Sequence, residues 1–441
     1  MSACLREIFD PAFWKKVHNE FKEFEFKRPR WKLPMCTYAG LFMALDPAKT
    51  EAERFEKAVE ILGGLFPKRK RCGETLAGYQ LAVADLPWEV FDAVRDGMQR
   101  VAQREMLKLA QVGRWEAYGI DGSKESLPRT EAHEDHYGIA TKGPGSAERL
   151  VVAAVALRRY VLWDWARDSA IGSERALALE VIRRLPLEAL AVLDAGFIGY
   201  DWALEVIASG HHFLARIGGN VTLWVEKLPT AEWRDGAVWL WPERKGEGKP
   251  LVLRLIKIEL PCRTKRGQRQ VMWLVTDILE PTRLTIAESA RYYGKRWPAN
   301  ECTFRTWKHT LAGEKLVSRT PIMAESESAF SLCALMLLQL SVRLARRKQR
   351  RDRRTLSVAQ AKRVWGRALR AVARGRHSQK FQEELGECIG DTYRRRKPKV
   401  KRPWPARKQY HALKTPIFRK LDRQRKSSGL LRLEEAKRAS A

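Results

Sequence analysis

Three acidic residues stand where phosphodiester chemistry could use them. Asp121 closes an apolar stretch, Trp115 to Ile120, and is followed by Gly122-Ser123. Asp194 closes Leu190-Ala191-Val192-Leu193 and is followed by Ala195-Gly196-Phe197. Glu301 lies further on, in Tyr293-Gly294-Lys295-Arg296-Trp297-Pro298-Ala299-Asn300-Glu301. Carboxylates at the ends of neighbouring strands, joined by a third from an overlying helix, can hold two divalent metal ions about 3.5–4 Å apart. Such a pair activates water or a 3′-hydroxyl and stabilises the leaving oxygen of a phosphodiester. All-oxygen ligands and substrate phosphates suit Mg²⁺. Each Asp taken singly also fits a plain turn, because Asp with Gly close behind is a common turn device. The ordered set, in a very basic chain, is what favours the chemistry.

Cations surround the third acid. Glu301, Arg305 and Lys308 fall at i, i+4 and i+7 and share one helix face, beside an apolar stripe of Phe304, Trp307 and Leu311. With Arg296 they frame one carboxylate with groups that meet a DNA backbone. The same residues also read as a solvated amphipathic helix with an i,i+4 ion pair.

The elements that must position these residues follow from patterning. Ile286, Ala287, Ala290 and Tyr293 predict a helix leading into the Glu301 stretch. Short apolar runs predict strands at Trp115 to Ile120, Leu150 to Leu157, Arg159 to Trp165, Leu190 to Leu193 and His212 to Ile217. Ser173 can cap a helix to Arg184, and a helix from Tyr200 to Ser209 closes at Gly210. Between Asn220 and Ile278 four further strands are expected, at Val221–Val225, Ala237–Trp241, Leu251–Leu260 and Arg269–Thr276. Residues 1–112 read as helical, including an amphipathic helix from Glu51 to Leu62 and a basic loop Lys68-Arg69-Lys70-Arg71. Phe330 to Leu344 reads as a core helix, Arg346 to Arg354 and Tyr393 to Lys408 as basic runs, and Arg423 to Ala441 as loosely ordered. His133-Glu134-Asp135-His136 reads as a solvated turn and Thr141-Lys142-Gly143-Pro144-Gly145 as an ordinary turn lacking phosphate-loop spacing.

Composition bounds the partners. The chain has 441 residues, 83 Lys plus Arg against 52 Asp plus Glu, and a net charge of +31. Such a charge speaks for a polyanionic partner, nucleic acid first. Seven dispersed cysteines with no C-x-x-C pair argue against a zinc finger and suit a reducing compartment. No lipid-anchor motif or apolar signal region is visible, and the run Phe330 to Leu340 is too short to span a membrane. A soluble, cytoplasmic, nucleoid-associated protein is expected.

Three segments resemble the DDE transposases of the insertion-sequence-four family. Ile120-Asp121-Gly122-Ser123 with Leu127-Pro128-Arg129-Thr130 resembles the first-Asp motif. Leu193-Asp194-Ala195-Gly196-Phe197-Ile198-Gly199-Tyr200, with His211 to Arg216 behind it, resembles the second. Tyr293-x-x-Arg296-Trp297 with Glu301-x-x-Phe304-Arg305-x-x-Lys308 resembles the Tyr-Arg-Glu-Lys motif. Four residues separate Arg296 from Glu301 where the family has three, while the interval from Glu301 to Lys308 is kept.

The resemblance implies an α/β fold: a ribonuclease-H-like mixed-sheet core (113–219 and 279–345) with a β-rich insertion (220–278). N-terminal (1–112) and basic C-terminal (346–441) helical regions flank it. It implies that Asp121, Asp194 and Glu301 bind two Mg²⁺, with Mn²⁺ able to substitute, and that Tyr293, Arg296, Arg305 and Lys308 grip DNA phosphates. Trp297 either stacks on an unpaired base or packs in the core. The implied activity is cut-and-paste transposition on terminal inverted repeats and target DNA, by a dimer when DNA is bound. A nuclease of the same fold, and a DNA-binding protein that no longer cuts, remain the alternatives.

Overall fold

Among the described residues seven helices open the chain, and one of them is apolar on every side. They are α1 (Ser2–Ile8), α2 (Pro11–Glu20), α3 (Lys22–Lys27), α4 (Leu33–Leu45), α5 (Glu51–Leu65), α6 (Leu76–Ala84) and α7 (Glu89–Met106). The structure, a computed structural model, describes all residues except 28, 68–71, 107–113, 140–144, 243–248, 264–268, 312, 314, 349–355, 377, 390–412 and 441. The basic loop Lys68–Arg71, most of the turn at Thr141–Gly145, the boundary at Gly113 and most of both basic runs therefore lie outside the described residues. Helix α4 carries no polar face, so it can only be an interior helix. Thr50 caps α5 by accepting from the Glu53 N–H.

The rest of the chain builds one sheet. In order come β1 (Ala117–Ser126), α8 (Glu131–Tyr137), β2 (Glu148–Ala156), β3 (Val161–Ser169), α9 (Glu174–Arg183), β4 (Leu190–Leu193), α10 (Tyr200–Ala208) and β5 (His212–Ile217). Then follow β6 (Thr222–Val225), β7 (Asp235–Leu240), β8 (Leu251–Arg263), β9 (Arg269–Thr276) and α11 (Ile286–Arg305), which runs into a π-helical turn at Thr306–Thr310. The chain ends with α12 (Pro321–Lys348), α13 (Val358–Ala373), α14 (Phe381–Gly386), β10 (Ile417–Lys420) and α15 (Arg423–Ser440).

The strand order is β10-β6-β7-β8-β9-β5-β4-β1-β2-β3. Strands β1, β2 and β3 pair antiparallel, and β4 and β5 then add in parallel beside β1. This is the ribonuclease-H-like arrangement. The expected β insertion exists as β6 to β9, and it extends the same sheet: β9 pairs antiparallel with β5.

Side-chain alternation splits the core into two layers. Ala117, Val155, Leu190 and Val192 pack under α11 through Tyr292 and Ala299. Tyr118, Ile120, Ala191 and Leu193 point the other way, into the large core with Leu177 and Ala178 of α9 and the buried length of α12. Helix α12 has the length and apolar composition of a membrane span, but 94% of that window is buried in the protein, as a core helix must be.

Four segments differ from the sequence reading. Asp121 lies inside β1 rather than after it, because β2 pairs with β1 as far as Ser126↔Glu148. Beyond the expected strand end, Glu125 continues β1 and is fully buried against Arg149 of β2, Oε2 to Nη2 2.5 Å. His133-Glu134-Asp135-His136 forms part of α8, with His133 buried and its Nδ1 3.0 Å from the Pro128 carbonyl. The C-terminal stretch forms β10 and α15, tied back where Trp239 Nε1 donates to the Gly429 carbonyl at 2.9 Å.

Candidate active site

Register brings the first two acids together. Strands β1 and β4 pair in parallel from Ala117↔Leu190 to Gly119↔Val192. Two residues on, that register sets Asp121 level with Asp194, on neighbouring strands about 4.8 Å apart. Both continue the odd-numbered and even-numbered series, respectively, that face α11. Strand β4 stops at Leu193 while β1 runs on to Ser126, so the sheet opens here.

Helix α11 closes over this opening. Thr285 and Glu288 form a capping box that fixes its start. Tyr292 Oη accepts from the Trp115 N–H at 3.1 Å, and Asn300 Nδ2 donates to the Gly119 carbonyl at 3.0 Å. A Cβ at Gly119 would sit 2.3 Å from Asn300 Oδ1, so glycine is what lets the helix come this close. The approach carries Arg296 onto both acids: Nη1 lies 3.0 Å from Asp121 Oδ2 and Nη2 3.4 Å from Asp194 Oδ2. Arg216 of β5 donates to Asp194 Oδ1 at 2.5 Å, and Tyr293 Oη donates to the same oxygen at 3.2 Å.

The two carboxyls are shifted in opposite directions. Burial pushes Asp121 above its ordinary value, against Arg296 and the Gly122 N–H. Burial also raises Asp194, but the Arg216 and Ala195 hydrogen bonds and the Arg216 and Arg296 charges outweigh it and hold the carboxyl low. Burial and the neighbouring Asp194 charge push the Tyr293 hydroxyl up, so it stays a donor.

The remaining expected residues are distributed unevenly. Tyr293, Arg296 and Asn300 share the helix face on the acids. Glu301 is one position further, about 100° round; its side chain is 42% exposed and pairs with Arg305 at 2.7 Å. The three-residue interval after Arg296 therefore ends on Asn300, and the described conformation does not bring Glu301 to Asp121 and Asp194. Trp297 is 61% exposed, which excludes the core-packing reading and leaves its ring on the surface. Lys308 is half-buried, within the π turn. Sequence reasoning missed Arg216 and Glu174 as neighbours of the acids. For Arg216 the signal was its place on the strand after the second Asp.

A divalent cation fits the aspartate pair. The Arg296 guanidinium already stands as a cation between Asp121 and Asp194, and Mg²⁺ needs only one or two protein carboxylates beside water and substrate phosphates. Among the described residues, no three His, Cys, Asp or Glu side chains gather into a ready metal cage.

Fold and site together define a ribonuclease-H-like domain with an acid pair on its central parallel strands, one acid inside β1 and one just past the end of β4. Residues 120–337 match the family model described as "Transposase DDE domain", a stretch that contains both aspartates and α11. That stretch is thus similar to the DDE domain of transposases. A solved structure, the cryo-EM piggyBac transposase synaptic complex with hairpin DNA, is similar at a TM-score of 0.44 and 10% identity, over 89% of this chain and 85% of that one. No curated protein matches the sequence.

Proposed function

We propose that the chain is a cut-and-paste transposase that moves an insertion sequence by metal-dependent cleavage of its DNA ends and strand transfer. The observation that carries this reading is the side-by-side placement of Asp121 and Asp194 at the open end of β4, bridged by one guanidinium. Asp121 and Asp194 would hold Mg²⁺, or Mn²⁺ in its place. When bound, the metal supplies activation of the attacking oxygen and charge relief at the leaving one. Arg216 and Tyr293 orient Asp194, and the Gly122 N–H orients Asp121. Arg305, Lys308 and the exposed Trp297 lie along α11 and its π turn, where phosphates and an unpaired base could be met. The partners are terminal inverted repeats and target DNA, engaged by a dimer.

One observation favours a second reading, a DNA-binding protein that no longer cuts: the face toward the acids carries Asn300, and Glu301 is paired with Arg305. Cleavage of a plasmid bearing the DNA that flanks this gene separates the two. Cuts at paired inverted ends with Mg²⁺, absent with EDTA and in Asp121→Asn, are the expected result. Tight, salt-sensitive binding with no cut under Mg²⁺ or Mn²⁺ would establish the second reading.

A further inference from the structure

A hollow of about 1070 Å³ opens in the N-terminal helical region, bordered by α1, α2, the start of α4 and Phe66 just past α5. Its floor is aromatic. Asp10 caps α2 by accepting from the Phe13 N–H at 2.7 Å, and Pro11 takes the first helical position, where a missing N–H leaves nothing unpaired. That fixed start sets Trp14 against Tyr38 of α4. Trp14 Nε1 donates to Tyr38 Oη at 3.2 Å, and the two rings meet edge to face at 5.5 Å. Phe9 lies 5.8 Å from Trp14, and Phe66 5.9 Å from Tyr38, between ring centroids. Four rings thus make one connected surface, in which Phe9 and Tyr38 are buried and Trp14 and Phe66 half-buried.

The rim is cationic. Arg6, Lys15, Arg30 and Lys32 line the hollow, and Glu74 is the one acid among its described lining residues. Arg6, Lys15 and Arg30 are exposed, and among the described residues Lys15 and Arg30 have no acidic partner. A second copy, itself at +31, is repelled by such a rim. The rim calls for an anion and the floor for a flat apolar body. A nucleotide joins both, with its phosphate on the cations and its base against a ring. Paired bases in a duplex show only their edges in the grooves, so the nucleotide must be unpaired. The hollow exceeds the about 300–1,000 Å³ of a small-molecule pocket, so it suits several linked nucleotides more than a free one.

We propose that this hollow binds a short single-stranded stretch of DNA, with phosphates on Arg6, Lys15 and Arg30 and a base against Trp14. The inference rests on the DNA-cleaving reading above for the source of such strands, which cutting of a DNA end exposes. The site shares no residue with the aspartate pair or α11.

The test is fluorescence anisotropy of the full chain with a labelled oligo-dT of about 12 nucleotides, inside the about 4–16 that single-strand sites cover. EDTA is present throughout, so no cleavage intervenes. Trp14→Ala should weaken oligo-dT at least about fivefold, the low end of what one stacked base contributes, and should bind a duplex and an abasic strand of equal length as wild type does. Trp14→Phe keeps a ring and should bind oligo-dT like wild type. Lys15→Glu combined with Arg30→Glu should weaken oligo-dT and the abasic strand alike. Unchanged oligo-dT binding in Trp14→Ala, or an equal loss on the abasic strand, would overturn the proposal. So would displacement of oligo-dT by dTMP or by a poly-glutamate peptide at the same concentration of phosphate or carboxylate, which would assign the hollow to a free nucleotide or to an acidic protein. If Trp14→Ala fails to fold, ultraviolet crosslinking of oligo-dT to wild type decides the matter: the labelled peptides should include the one with Trp14, and label confined to other parts of the chain overturns the proposal. Trp14→Ala that cuts the plasmid yet binds oligo-dT like wild type would sink this inference and leave the transposase reading standing. A wild type that never cuts, yet meets every binding expectation, would do the reverse.

Discussion

Arg296 is 3% exposed, and its two terminal nitrogens each meet a different aspartate. Removing it leaves Asp121 and Asp194 facing each other with Arg216 as the remaining cation beside them. Arg296→Ala should cost about 1–3 kcal/mol of stability, read as a lower urea midpoint. The same variant should gain more thermal stability from added Mn²⁺ than wild type does, because guanidinium and metal compete for the same oxygens. A smaller gain would mean that Arg296 assists the metal instead. Protonation acts on the same atoms. Asp121 and Glu174 have raised values, so the folded protein holds their protons more tightly than the unfolded chain. Their stabilising contribution is complete below the ordinary carboxylate range and is lost as pH rises through their folded values. Asp194, held low, behaves oppositely and loses its contribution as pH falls through its folded value. Since a metal takes the ionised forms, the Mn²⁺-induced rise in Tm should be larger at pH 8 than at pH 5. Asp121→Asn should flatten that difference.

At the scale of elements, close backbone approaches decide which helices can pack. A Cβ on Gly64 of α5 would lie 2.0 Å from the Val372 carbonyl oxygen of α13, and a backbone atom cannot swing aside. Gly64→Ala should destabilise the protein by about 1–3 kcal/mol, measured by urea unfolding, through overpacking. Helix α11 has a different internal cost: Pro298 stands within it and gives no N–H to the preceding turn. What was legible beforehand were elements whose signal is local. The α9 cap at Ser173, the run Leu190–Leu193 and the apolar length of α12 each declare themselves within a few residues. Both aspartates were legible for the same reason, each following such a run. What escaped depends on partners far along the chain. Glu125 belongs to a strand only because Arg149 neutralises it, and α15 is fastened by Trp239 from another part of the sheet. Glu174 was hidden because its contact is with Gly122, more than fifty residues earlier, and α11's phase was hidden by one residue: periodicity allowed either Asn300 or Glu301 to face inward.

For the whole molecule, charge is the dominant property. With a net charge of +31, DNA binding should be driven largely by counterion release. If about 6–10 phosphates are contacted, affinity should fall by about three to five decades between 50 and 200 mM salt. Fluorescence anisotropy with a labelled duplex measures this; a curve nearly flat in salt would mean that the positive surface is not the binding surface. A second consequence concerns the sheet, which is continuous from β1 to the insertion. Disturbance of β8 or β9 reaches β5, and with it Arg216, through one ladder of hydrogen bonds.

The outermost strand of that sheet arrives late in synthesis. Strand β10 pairs in parallel with β6, Ile417↔Thr222 to Lys420↔Val225. Between the end of β9 at Thr276 and the start of β10 at Ile417, a ribosome must add 140 residues. At about 5–20 residues per second that takes about 7–30 s. Throughout that interval the outer edge of β6 has no partner from its own chain, and an open edge recruits whatever strand is nearest. On a polysome the nearest strand belongs to a sister copy, so closer spacing of ribosomes on the message should raise the aggregated share of newly made protein, read by pelleting nascent product at high and low initiation rates.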